Sequence, residues 1–86
     1  MTIEVAILKT LQLAAPYPAR TQLINGHVKA SVLPAPGVGE ISDKLATMTQ
    51  RHFIVRVPDP LDDRVEQYAL TDAGRAYLFA SPYRDQ

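Results

Sequence analysis

Eighty-six residues with 47% apolar content leave room for one domain with one modest core. Cysteine is absent, so disulfides and thiolate metal sites are excluded and packing alone must hold the fold. Nine basic and nine acidic side chains give zero formal net charge, which argues against a protein that binds polyanions through bulk charge.

No apolar run is long enough to cross a bilayer, and no basic head followed by an apolar block marks a signal peptide. A cytoplasmic protein without membrane contact is therefore expected. The first helix is predicted over residues 1–15. Thr2 suits its N-cap, Glu4 its first turn, and Ile3, Ile7, Leu8, Leu11 and Ala15 fall at helical spacing as a core stripe. Leu13 lies off that stripe and hints at pairing with a second copy of the chain. Pro16 and Pro18 end the helix.

A second helix is predicted over residues 20–32, with Leu23, Ile24, Val28 and Val32 packed on the first. Gly26 in its interior costs about 1 kcal/mol relative to alanine. His27 has no further ligands at useful spacing, so no metal site is expected there; with Lys29 it suits an outward face. The connector at 33–39, LPAPGVG, has two prolines and two glycines.

A third helix is predicted over residues 40–51, burying Ile41, Leu45 and Met48. Its opposite face carries Asp43, Ala46, Thr47 and Gln50, flanked by Ser42 and Thr49, with Lys44 and Arg51 toward one edge. Two short strands follow over residues 53–70, the only strands expected, all earlier elements reading as helical. Phe53 to Val57 is β-branched and aromatic and stops at Pro58, PDPLDD is turn chemistry, and Val65 to Leu70 alternates. Thr71 suits the cap of a closing helix over residues 72–80, with Ala76, Tyr77, Phe79 and Ala80 available for packing. Ser81-Pro82 stops it, leaving residues 81–86 as a tail.

These residues carry a resemblance. Asp59, Asp62 and Arg64 fit a D-x-x-D-x-R pattern, and Leu70, Thr71, Gly74 and Leu78 fit L-T-x-x-G-x-x-x-L. Met48, Phe53, Ile54 and Arg56 stand where a third helix runs into a first strand. Together they resemble the wing and closing helix of winged helix-turn-helix regulators of the MarR and PadR types. The resemblance implies an α+β winged helix: a three-helix body, a two-stranded antiparallel wing and a short closing helix. It makes the third helix a reader of the DNA major groove and places Arg64 at the minor groove or a phosphate beside it, oriented by the wing aspartates. His52 takes a position where these families usually have glycine, at the exit of the recognition helix. The 33–39 connector departs from their pattern, since a DNA-reading helix-turn-helix joins its helices by three to four residues. Such a connector either tilts the third helix or is a tolerated surface insertion.

The expected interface is therefore Ser42, Asp43, Lys44, Ala46, Thr47, Thr49, Gln50 and Arg51 on the third helix, with Arg56 and Arg64 on the wing. Gln pairs bidentately with adenine, Thr and Ala contact a thymine methyl, and Lys or Arg holds phosphate. Asp43 opposes the backbone of DNA; Asp59, Asp62, Asp63 and Glu66 make the wing acidic, and by the resemblance its aspartates orient Arg64 rather than oppose binding. Two readings stay open: a small DNA-binding transcriptional regulator, and a winged-helix adaptor for protein partners, as in a phage or larger assembly. A homodimer would use the first or the closing helix, with Tyr77, Phe79 and Tyr83 as anchors. No catalytic constellation, phosphate loop, metal site or cofactor site emerges, and an enzyme is not expected.

Overall fold

The computed structural model describes residues 2–80. The tail expected over 81–86, with the Tyr83 anchor, lies outside the described residues. Four helices and three strands follow in the order α1 (Ile3–Ala14), β1 (Ala19–Arg20), α2 (Thr21–Ser31), α3 (Val38–Gln50), β2 (Ile54–Arg56), β3 (Gln67–Leu70) and α4 (Asp72–Ala80).

α1 is the centre of the molecule and touches α2, α3, α4, β1 and β3. Its N-cap is Thr2, whose side-chain oxygen accepts from the Val5 N–H at 3.2 Å. Because partners surround it, burial is wider than a single stripe: Val5, Ala6, Ile7, Leu8, Thr10 and Leu11 are all buried. Ala15, expected in the core, is exposed at the C-cap. Thr10 pays its polar cost locally, donating to the Ala6 carbonyl at 2.8 Å. That uses the only hydroxyl proton, so His27 Nδ1, 2.7 Å away, must carry a proton and donate to Thr10 Oγ1. His27 thus ties α2 to α1 instead of facing outward.

α2 buries Ile24 and Val28, but Leu23, expected in the core, is 55% exposed. α3 begins at Val38, two residues before the expected start, because Gly37 takes the extended N-cap conformation and Val38-Gly39 enters the first turn. The connector therefore shortens to residues 32–37. The stripe Ile41, Leu45 and Met48 is buried as its spacing required.

β2 and β3 pair antiparallel in the register Ile54↔Leu70, Val55↔Ala69 and Arg56↔Tyr68, which is the expected wing. The expectation of helices alone before the wing is corrected by β1. Ala19↔Tyr68 and Arg20↔Gln67 add a third strand, giving the order β1-β3-β2. Two residues between Pro18 and a helix carry no alternation to read, so only the long-range pairing defines this strand. The next residue continues the attachment: Thr21 N–H and its hydroxyl both donate to the Glu66 carbonyl, at 3.1 and 3.2 Å.

α4 closes the core through Gly74 and Leu78, whereas Ala76, Tyr77, Phe79 and Ala80, expected to pack, are exposed. Gly74 sits so close to β2 that a Cβ there would stand 1.9 Å from the Phe53 carbonyl oxygen. Thr71 makes this approach possible. Its hydroxyl accepts from the Gly74 N–H at 3.0 Å and donates to the His52 carbonyl, while its own N–H donates to Phe53 O at 3.2 Å. His52 has φ 64°, the left-handed turn expected at the exit of the third helix.

Candidate nucleic-acid interface

The exposed side of α3 is set by what the opposite side buries. At about 100° per residue, Asp43 and Gln50 fall opposite the stripe of Ile41, Leu45 and Met48, with Ala46 and Thr47 on either flank. Ser42, Asp43, Ala46, Thr47, Gln50 and Arg51 are exposed, while Lys44 and Thr49 are half-buried at its margins. Two hydroxyls are turned back onto the helix: Thr47 Oγ1 donates to the Asp43 carbonyl at 3.0 Å, and Thr49 Oγ1 to the Leu45 carbonyl at 2.7 Å. Their protons are spent, so the face offers chiefly the Ala46 and Thr47 methyls, the Gln50 amide and the Asp43 carboxylate.

The cations behave differently from what a tally of Lys and Arg suggests. Lys44 Nζ lies 3.5 Å from Glu4 of α1. Arg56 reaches Glu66 across the wing at 4.0 Å. Arg64 is held by Asp62, its Nε 3.2 Å from Oδ1 and its backbone N–H donating to the same oxygen at 3.0 Å. Among the described residues, Arg51 is the cation of this face that no carboxylate holds. Exposed pairs of this kind add little stability, but they neutralise charge that phosphates would otherwise meet.

Within the D-x-x-D-x-R pattern the two aspartates have separate tasks. Asp59 accepts from the Leu61 N–H at 2.8 Å, shaping the wing turn, and its other oxygen lies 3.6 Å from Arg20 of β1. Asp62 takes Arg64. The Arg64 side chain and backbone N–H together hold the Asp62 carboxyl below the usual aspartate range. On β3, burial pushes the Tyr68 hydroxyl above the usual tyrosine range, Glu66 adds to the rise and Arg56 opposes it.

Sequence reasoning missed Glu4 as the partner of Lys44, since the pair joins residues forty positions apart. It also missed a cleft of about 190 Å³ where Lys44 and Met48 of α3 and Arg51 at its C-cap meet Phe53 and Tyr77, whose ring centroids lie 4.9 Å apart. Among the described residues, no group of three His, Cys, Asp or Glu side chains is placed to hold a metal. No helix there is long and apolar enough to cross a membrane.

No protein-family model matches the chain, and no curated protein matches it. Solved structures do match. A cysteine-to-serine mutant of MarR from Escherichia coli superposes with TM-score 0.74 and 20% identity over 92% of this chain and 52% of its own. The same mutant complexed with operator DNA gives TM-score 0.72 and 20% identity over 92% and 51%. The Thermoplasma acidophilum protein TA0346 gives 0.73 and 24% identity over 98% and 78%. This chain spans about half the length of the MarR chains. The six-residue connector between α2 and α3 is thus accommodated within the common architecture. With its helical body, paired wing and closing helix, the chain has the winged-helix fold of MarR-type regulators.

Proposed function

We propose that this chain is a DNA-binding module of a transcriptional regulator, reading the major groove with α3 and contacting the adjacent backbone or minor groove with the wing. The observation that carries the reading is the bare face of α3, small and polar at Ala46, Thr47 and Gln50, on a fold whose solved neighbours include MarR complexed with operator DNA. Ser42, Asp43 and Thr49 complete or border that face, Lys44 and Arg51 serve phosphates at its edge, and Arg56 and Arg64 serve the wing. Arg64 is 88% exposed at the side chain, and Asp62 fixes its direction without covering it.

Two copies binding two half-sites fit this reading, since helix-turn-helix proteins commonly dimerise on palindromic sites. In this proposal the copies meet through α1 or α4, where Leu13 is 76% and Phe79 72% exposed. The intramolecular neutralisation of Lys44, Arg56 and Arg64 favours one second reading, a winged-helix adaptor whose partner is a protein.

The deciding experiment titrates the protein with mixed-sequence duplex DNA at low and moderate salt. DNA binding predicts affinity that falls with salt and falls further in Arg64→Ala. No binding at low salt transfers the case to the adaptor.

A further inference from the structure

A carboxylate in the middle of a DNA-reading face is a liability unless it has a use. Among the described acidic groups, Glu4, Asp59, Asp62, Glu66 and Asp72 are each held by a cation. Asp43, Glu40 and Asp63 are not, and of these three Asp43 alone stands on the candidate reading face of α3, its sequence neighbour Lys44 drawn away to Glu4. It is exposed on the outermost line of α3, and its backbone carbonyl anchors the Thr47 hydroxyl one turn on.

An ionised carboxylate only accepts hydrogen bonds. In the major groove it is therefore repelled by phosphates, by guanine O6 and N7 and by thymine O4; the donors there are the amino groups of cytosine and adenine. Adenine sets its donor beside the N7 acceptor, an edge that suits an amide such as Gln50. Cytosine offers its N4 amino group as a donor without such a neighbour, the edge that suits Asp43. Building on the DNA-binding reading above, the geometry points to Asp43 as a specificity-determining residue that accepts from a cytosine N4 amino group. Gln50 lies seven residues along the same line. At 1.5 Å per residue this is about 10 Å, so Gln50 meets a different base pair from Asp43.

The test is selection from a random-sequence duplex library with the wild-type chain, Asp43→Ala and Asp43→Asn. Circular dichroism confirms that both exposed-site variants fold. The wild type should enrich a fixed C·G position, with C→T at that position weakening binding by roughly 5- to 100-fold in competition. Asp43→Ala should lose the preference at that position and keep the rest of the motif. Asp43→Asn should move it from cytosine toward adenine, the base an amide reads. An identical motif from all three proteins overturns the assignment while leaving DNA binding intact. So does a uniform gain in affinity for Asp43→Ala with no change of motif, which would make Asp43 a repulsive group only. A wild-type chain that enriches no sequence at low salt refutes the DNA-binding reading itself, and this assignment with it.

Discussion

Replacing Gly74 by alanine separates two forces that act with opposite sign. In an exposed helix interior the exchange stabilises by about 1 kcal/mol, because alanine has less backbone freedom to lose. At Gly74 the new Cβ would stand 1.9 Å from the Phe53 carbonyl oxygen and 2.9 Å from its carbon, both backbone atoms that cannot rotate away. An ordinary C···O approach is about 3.3 Å, so α4 must retreat by roughly 1.4 Å. That movement strains the Thr71-to-Phe53 hydrogen bond, the Phe53–Tyr77 ring contact and the seat of Leu78, which is 4% exposed. Overpacking costs about 1–3 kcal/mol, the hydrogen bond about 1 and the ring contact about 0.5–1. After the helix gain is subtracted, Gly74→Ala should destabilise by about 2–4 kcal/mol. A domain of this size shifts about 4–8 °C per kcal/mol, so the midpoint should fall by roughly 8–32 °C. Thermal and urea unfolding followed by circular dichroism give the answer. Gly26→Ala is the control: nothing lies within 4 Å of its would-be Cβ, and it should raise stability by about 0.5–1 kcal/mol. A Gly74→Ala protein as stable as the wild type would refute the packing argument.

Thr10→Val keeps the shape of Thr10 but removes the acceptor of His27 Nδ1–H; a loss of about 1–2 kcal/mol in urea unfolding is expected, and no loss would show that water replaces it freely. Thr71→Ala removes the α4 cap and the bond to the His52 carbonyl together, and should cost about 1–2 kcal/mol in the same assay. Asp62 should titrate below the usual aspartate range in a carbon-detected NMR pH series, and return upward in Arg64→Ala. With its folded value depressed, its contribution to stability is in force above the unfolded value and fades as pH falls through the folded one. In the proposed DNA-binding reading, Arg51 is, among the four proposed cations of the described residues, the one that does not have to leave a carboxylate, so log affinity against log salt should slope by about −2 or less steeply per protomer; a slope near −4 would mean that Lys44, Arg56 and Arg64 release their partners completely.

Much of the architecture was legible because it is written in local chemistry. Thr2 and Thr71 cap where their hydroxyls suggested, Ile41, Leu45 and Met48 bury at helical spacing, and His52 turns left-handed after α3. What escaped depends on partners distant in sequence. β1 exists only because β3 pairs with it, and Lys44 is tied to Glu4 across the body of the fold. On α4, Gly74 and Leu78 are the buried positions, while Tyr77, though it lays its ring against Phe53, and Phe79 stay exposed; the close approach of Gly74 to the Phe53 carbonyl sets which side of the helix turns inward. For the candidate interface, helical spacing located the exposed side of α3, but not which of the candidate cations are already paired. Pairing across elements settles which cations already have partners.

The attachment of β1 and Thr21 to the wing has a mechanical consequence. Two rungs on β3, a doubly engaged Glu66 carbonyl and the Arg20–Asp59 contact all act at the loop-side end of the ribbon, against the start of α2. The wing is consequently not a free arm hinged on β2 alone. Its tilt is slaved to α2, so a force applied at the ribbon's tip is delivered to the helical body, and any rotation of α2 re-aims Arg64.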